Sequence, residues 1–169
     1  DCATLRVIAK LLSLNYLHHE IREKSGAYGG GAAQNKNIFA MFSYRDPNSL
    51  KTVETFRNSM DWILKNENVS GNDIDQALLS LFSNLDSPKP PQQKGYQEVL
   101  QDIDEEIRQR HREQLLAVDK ESIRRCVDQY LLRAFEENEV ALSIVGRQDI
   151  SENEKEKLQD EKFKYVTLG

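Results

Sequence analysis

Four of the protein's eight glycines, Gly26, Gly29, Gly30 and Gly31, fall within six positions. Glycine weakens a strand and belongs where another backbone or a ligand comes close. Upstream of this cluster, residues 3–22 contain neither Gly nor Pro. Val7, Leu11, Leu14 and Ile21 share one stripe, with Leu5, Ile8 and Leu12 beside it. Such a wide apolar arc predicts a helix buried against a sheet rather than one skimming the surface. Ser25-Gly26 ends it, because glycine releases the backbone. Downstream, Ile38, Ala40, Phe42 and Tyr44 alternate with Phe39, Met41, Ser43 and Arg45, the period of a strand. With Gln34-Asn35-Lys36 as the link, the glycine segment and this strand predict an antiparallel hairpin.

Asp46-Pro47-Asn48-Ser49 reads as a turn that opens a second helix reaching about Lys65. Leu50, Val53, Met60 and Leu64 form its stripe, with Phe56 and Ile63 alongside. Ser70-Gly71-Asn72-Asp73 is a capping-box signal, followed by a helix carrying Ile74, Ala77, Leu78, Leu81 and Leu85. Ser87-Pro88-Lys89-Pro90-Pro91 breaks that helix and is too short to mark a domain boundary. A polar helix then carries Tyr96, Leu100, Ile103 and Ile107, and its pattern admits a bend near His111 before Leu115 and Leu116. Asp119 caps another helix with Ile123, Val127, Tyr130, Leu131 and Ala134 turned inward. Residues 139–146 are almost continuously apolar, the pattern of a central strand.

The order of elements predicts an α+β domain over residues 1–150, with a mainly antiparallel sheet packed by several helices. Three strands are few for so many helices, which suggests a further strand upstream of Asp1 and a chain truncated on its N-terminal side. Residues 151–169 form a polar tail: five acidic and three basic side chains lie among the twelve from Ser151 to Lys162. Residues 1–92 carry ten basic and ten acidic side chains, so the net charge of -5 resides in the remainder. No global basic footprint for nucleic acid exists, and no apolar run approaches the ~18 residues of a membrane span. Two cysteines are too few for a disulfide framework.

Little in the chain has the chemistry of a complete active site. His18-His19-Glu20 is the sole cluster of metal-ligand types, but adjacent helical positions diverge by about 100°. Neither H-E-x-x-H nor H-x-x-E-H occurs, so no metal site is expected within these residues. There is no Gly-x-Ser-x-Gly elbow, and Cys126, next to Val127, reads as a small buried thiol. The glycines follow a helix and precede a strand, the reverse of a phosphate loop. A better candidate flanks them. Arg22, at a helix end, offers a permanently charged fork of donors, and Tyr28 offers a hydroxyl on a rigid ring. Together they suit a peptide carbonyl or carboxylate, and Gly29, Gly30 and Gly31 would leave room for an extended chain along the strand. The plainer alternative pairs Arg22 with a nearby acid and packs Tyr28 over the sheet edge.

The segment Leu17-His18-His19-Glu20-Ile21-Arg22-Glu23-Lys24-Ser25-Gly26-Ala27-Tyr28-Gly29-Gly30-Gly31 closely resembles a signature of the pitrilysin/insulysin superfamily of zinc metallopeptidases. The likeness is strongest to its presequence protease branch, which includes falcilysin-like enzymes. Phe42-Ser43-Tyr44-Arg45-Asp46-Pro47-Asn48, Asn72-Asp73-Ile74-Asp75-Gln76-Ala77, His111-Arg112-Glu113-Gln114-Leu115 and Leu142-Ser143-Ile144-Val145-Gly146 extend it over roughly residues 3–147.

The resemblance implies a LuxS/processing-peptidase-like metallohydrolase domain, the fourth and C-terminal of four in two hinged halves. The zinc and its H-x-x-E-H motif would lie in the first domain, so this segment would carry neither catalytic nor metal residues and would be inactive alone. Its part would be to close the chamber with the N-terminal half of the same polypeptide. By motif position, Arg22 and Tyr28 would reach unstructured peptide substrates, beside Gly29 and Gly30. Ser25 stands where glycine is common in relatives. The mitochondrial matrix is the implied compartment, with a plastid-type organelle as the alternative. A non-catalytic scaffold subunit of the same fold is the competing role, and an unrelated helical interaction module requires residues 26–45 not to be strands. An uncovered sheet edge would let the isolated fragment dimerise.

Overall fold

The computed structural model describes residues 2–35, 37–65, 67–88, 90, 104–137 and 139–145. The first helix, α1 (Cys2–Leu12), passes without a break into a π-helical segment, Ser13–Glu23. A hairpin follows, β1 (Gly29–Asn35) antiparallel to β2 (Ile38–Tyr44), with Gly29 opposite Tyr44 and Gly31 opposite Phe42. Then come α2 (Ser49–Leu64), α3 (Gly71–Leu85), α4 (Glu105–Leu116) and α5 (Lys120–Cys126). A second π-helical turn, Val127–Leu132, leads into α6 (Arg133–Glu136). The architecture is α+β. Because residues 26–45 do contain paired strands, the purely helical interaction module is excluded.

The core gathers around α1. Val7, Ile8, Leu11 and Leu12 are completely buried and share a cluster with Leu17, Ile21, Met60, Leu115 and Val127. The hairpin lies against α1 and the π segment, while α3, α4 and α5 also pack on α1. The wide apolar arc is thus shared between the hairpin and the helices. The stripe also changes where the register changes. Leu14 is 49% exposed, whereas Leu17 and Ile21 are fully buried. A helix with i→i+5 hydrogen bonds turns less per residue than an α-helix, so positions extrapolated past Leu12 rotate off the stripe. The Lys24 N–H donates to the His19 C=O, five residues back, at 3.0 Å.

In α2 the buried face is Thr52, Thr55, Ser59, Met60 and Ile63, with Leu50, Val53 and Leu64 only partly covered. The hydroxyls are tolerated because each finds an acceptor. Thr55 Oγ1 donates to the Lys51 C=O at 3.0 Å, and Ser59 Oγ donates to the Phe56 C=O at 2.6 Å. Trp62 of α2 meets Tyr16 of the π segment with ring centroids 5.2 Å apart. The expected caps are present: Ser70 with Asp73, and Asp119 with Ser122, form reciprocal capping boxes. The α4 helix is unbroken at His111, from its N-cap at Asp104 to Leu116. Tyr96, Leu100 and Ile103, and the tail at 151–169, lie outside the described residues.

Two readings need correction. Tyr130 is 41% exposed, while Ile123, Val127 and Leu131 of the same helical run are buried; the second π turn shifts the inward face here too. Residues 139–145 form no strand, and Val145 is 82% exposed. A strand exists through its ladder of backbone hydrogen bonds. The sheet among the described residues holds β1 and β2 alone, and neither pairs with this segment.

Candidate functional site

The π segment brings its polar residues together in a way that α-helical spacing conceals. His19 Nδ1 lies 2.6 Å from Glu23 Oε2, and His18 Nδ1 lies 3.5 Å from Glu23 Oε1. The i→i+5 register aligns residue 18 with residue 23. The hydrogen bond from His19, and behind it the nearby positive charge of Arg22, hold the Glu23 carboxyl below its ordinary range. Arg22 Nη1 donates to His18 Nε2 at 3.2 Å. That bond needs a lone pair on Nε2, so the proton sits on Nδ1, facing Glu23. Glu23 therefore orients His18, and His18 orients Arg22. The partner of Arg22 is an imidazole one turn back, not the carboxylate that the plainer reading supposes. Glu20 is taken by Lys24 at 2.6 Å.

Gly26 ends the helix with φ at +79°, the left-handed conformation of a C-terminal glycine cap. Gly26 N–H and Ala27 N–H donate to the Arg22 and Ile21 carbonyls, both at 3.1 Å. These bonds fix the path from Arg22 to Tyr28. Ser25, just before the cap, is buried with its Oγ unbonded; glycine there would leave no orphaned hydroxyl.

Tyr28 stands 60% exposed at the mouth of the hairpin. Its ring centroid is 5.6 Å from that of Tyr44, and the Arg45 guanidinium carbon is 5.2 Å from its centre. Its backbone N–H donates to the Arg45 C=O at 3.3 Å. Among the described contacts none joins Arg22 directly to Tyr28; the connection is the capped backbone between them.

The three consecutive glycines are filled from within the protein. A Cβ on Gly29 would stand 2.6–2.7 Å from the Tyr44 phenol. One on Gly30 would meet the Phe42 carbonyl oxygen at 3.0 Å and Ile21 at 3.1 Å, and one on Gly31 would meet Ser13 Oγ at 3.0 Å. Gly29 thus lets the Tyr44 ring lie across β1 and reach Tyr28. Gly30 and Gly31 let the strand press against the π segment. Ser13 completes this contact: its Oγ accepts from the Ala32 N–H at 2.8 Å and lies 2.7 Å and 3.1 Å from the carbonyls of Ala9 and Ala32. At Ala32, then, the outer edge of β1 is already bonded to the helix.

Beyond β2, Asp46 ties the turn. Its Oδ2 accepts from Ser43 Oγ at 2.8 Å and from Thr52 Oγ1 at 2.5 Å, and its Oδ1 accepts from the Asn48 N–H at 2.8 Å. Asn48 Nδ2 donates to the Ser25 C=O at 2.9 Å, which fastens this turn to the helix cap. Arg45, between β2 and the knot, has φ at +48°. For an L-residue other than Gly, Asn or Asp that conformation costs about 1–2 kcal/mol. Sequence reasoning singled out neither Arg45 nor Tyr44. The aromatic opposite a glycine was the available signal.

Cys126 is buried, and burial pushes its thiol pKa upward, as suits a packing residue. No group of three or more His, Cys, Asp or Glu among the described residues is placed to hold a metal ion. A resident zinc does not fit the side chains here. No described helix is long and apolar enough to cross a membrane.

The Arg22 guanidinium and the exposed Tyr28 phenol thus flank the start of a glycine hairpin. Comparison with known proteins gives the family. Residues 2–148 match the model of the PreP C-terminal domain, and the chain belongs to that family. It is 47% identical over 132 residues to a protein of Xenopus laevis named "Presequence protease, mitochondrial". Proteins of the same name from Mus musculus and Saccharomyces cerevisiae are 44% and 40% identical over 132 and 134 residues. Each alignment covers 78% of this chain but 13–14% of the relative.

Proposed function

We propose that the chain is the substrate-side wall of a mitochondrial zinc metalloendopeptidase that degrades targeting presequences and other short unstructured peptides. It works with the N-terminal half of the same polypeptide, which supplies the zinc, its ligands and the general base. The two halves close around the peptide in the matrix, and this domain alone is inert. The fold is that of the LuxS/processing-peptidase-like metallohydrolases.

The observation that carries this reading is the mounting of Tyr28: an open phenol held by Tyr44 and Arg45, one glycine cap away from an Arg22 that is itself oriented by His18. Hydrolysis of a peptide bond builds negative charge on the carbonyl oxygen, and a preplaced hydroxyl donor stabilises that charge without reorganising. Arg22 fixes the chain by its carbonyls or terminal carboxylate. Gly29 and Gly30 contribute through the strand they permit, which lies flat under Tyr44 with its backbone near the surface. A scaffold subunit would have no use for such an arrangement. Because Arg22 and Tyr28 would lie in the half opposite the general base, closure would complete the site and gate turnover.

In the full-length peptidase, Tyr28→Phe and Arg22→Ala should each lower the turnover of an unstructured peptide by ~10-fold or more, the scale of a lost transition-state donor. Cleavage at the unaltered rate by both variants would refute the assignment.

A further inference from the structure

Arg45 is the non-glycine residue with positive φ among the described residues. Backbone strain of this kind persists where the surroundings over-determine it, and it gathers at working sites. The surroundings here are specific: the next residue, Asp46, accepts from Ser43, Asn48 and Thr52, and the Arg45 carbonyl accepts the Tyr28 N–H. The left-handed turn takes Arg45 out of the alternation of β2 and sets its guanidinium 5.2 Å from the centre of the Tyr28 ring. Among the described residues no carboxylate forms an ion pair with it. Tyr44, lying across Gly29, also meets the Tyr28 ring.

We propose that Arg45 is a positioning residue for Tyr28: a guanidinium stacked on the phenol that holds its rotamer and strengthens its hydroxyl as a donor. The proposal rests on the reading of Tyr28 as the group facing the peptide carbonyl. A cation over an aromatic face is attracted by the ring's negative quadrupole and draws its electron density. The hydroxyl donates better for it. Fixing the ring matters equally, because a donor displaced by about 1 Å loses much of its effect. The strained backbone has a use on this account, since an extended Arg45 would continue the strand and leave Tyr28 held from one side only.

The test is steady-state cleavage of a fluorogenic unstructured peptide by the full-length peptidase carrying Arg45→Asn, Arg45→Gly, Tyr28→Phe, or Arg45→Asn with Tyr28→Phe. Asn and Gly accept positive φ, so the turn survives while the guanidinium goes. Each Arg45 variant should lower kcat about 3-fold or more, the scale of an exposed cation–π contact. KM should stay within about twofold, since an interaction felt only in the transition state moves kcat alone, and Tm should not fall, because Asn and Gly relieve the left-handed strain at position 45. The double variant should be no slower than Tyr28→Phe, because the two residues act as one unit. Wild-type kcat in both Arg45 variants would overturn the proposal, as would losses that multiply in the double variant. A fall in Tm accompanying any loss would mark Arg45 as structural and overturn it too. If Tyr28→Phe slows turnover while the Arg45 variants do not, the proposal falls and the role of Tyr28 stands. If Tyr28→Phe is silent, both fall.

Discussion

The two flanks of the first helical run, α1 with its π segment, are built on different terms. On the hairpin side, contact is made by backbone and small groups. Gly30 touches Ile21, Gly31 touches Ser13, and the Ser13 hydroxyl serves three backbone groups. On the other side α4 is held by the buried Leu115 and a half-buried polar contact in which Arg6 Nη1 lies 2.8 Å from His111 Nε2. The rest of α4 is dressed with solvent-exposed pairs, Arg108 with Glu105 at 3.0 Å and Arg110 with Glu106 at 2.9 Å. The hairpin side leaves no volume to spare, whereas α4 can tolerate side-chain adjustment. Arg22 and Tyr28, the side chains proposed to meet the peptide, sit on the side with the tighter constraints.

The comparison breaks most readily at Gly30. Valine there should destabilise the chain by about 1–3 kcal/mol, the range for overpacking, because its Cβ meets the Phe42 backbone as well as Ile21. Denaturant unfolding measures it, and a neutral result would mean that helix and hairpin are not in register-locked contact. Ser13→Ala should cost about 1–2 kcal/mol in the same assay, since it leaves the Ala32 N–H without its acceptor.

On the α4 side the effects are smaller and depend on conditions. Burial, and secondarily the Arg6 charge, lower the His111 pKa from its ordinary 6.5. A histidine with a depressed folded pKa binds its proton more readily when unfolded. Its contribution is therefore fully present above the unfolded value and is lost as pH falls through the folded one. Wild-type stability should decline on acidification below about 6.5, and His111→Gln should flatten that part of the profile while still offering Arg6 an acceptor. An unchanged slope would remove His111 from the attachment of α4. Smallest of all, Glu106→Gln should change stability by no more than about 0.5 kcal/mol, because the pair is exposed.

Much of this was legible in the amino acids, and the failures share a cause. The hairpin follows from alternation around the glycines, and both capping boxes from hydroxyl and carboxylate spacing. Leu14 and Tyr130 were misjudged because a π turn changes the angular step, which no apolar pattern announces. The buried hydroxyls of Thr52, Thr55 and Ser59 escaped because burial of a hydroxyl depends on an acceptor known only after folding. Residues 139–145 looked like a strand because apolar composition does not reveal whether a partner edge exists. At the candidate site, residue type and resemblance single out Arg22 and Tyr28. Arg45 was not, since a left-handed backbone is invisible until Asp46 and its partners are in place. The need for glycine at 29, 30 and 31 comes from Tyr44, Ile21, the Phe42 carbonyl and Ser13, neighbours that only the folded hairpin supplies.

The central claim, that Tyr28 faces the bound peptide, is tested most directly by photo-cross-linking. A photoreactive phenylalanine at position 28 of the full-length peptidase would be irradiated with a non-cleavable unstructured peptide, and adducts mapped by mass spectrometry. The account predicts a peptide adduct at residue 28 that excess unlabelled substrate suppresses. A peptide that inhibits the enzyme yet forms no adduct there would contradict it.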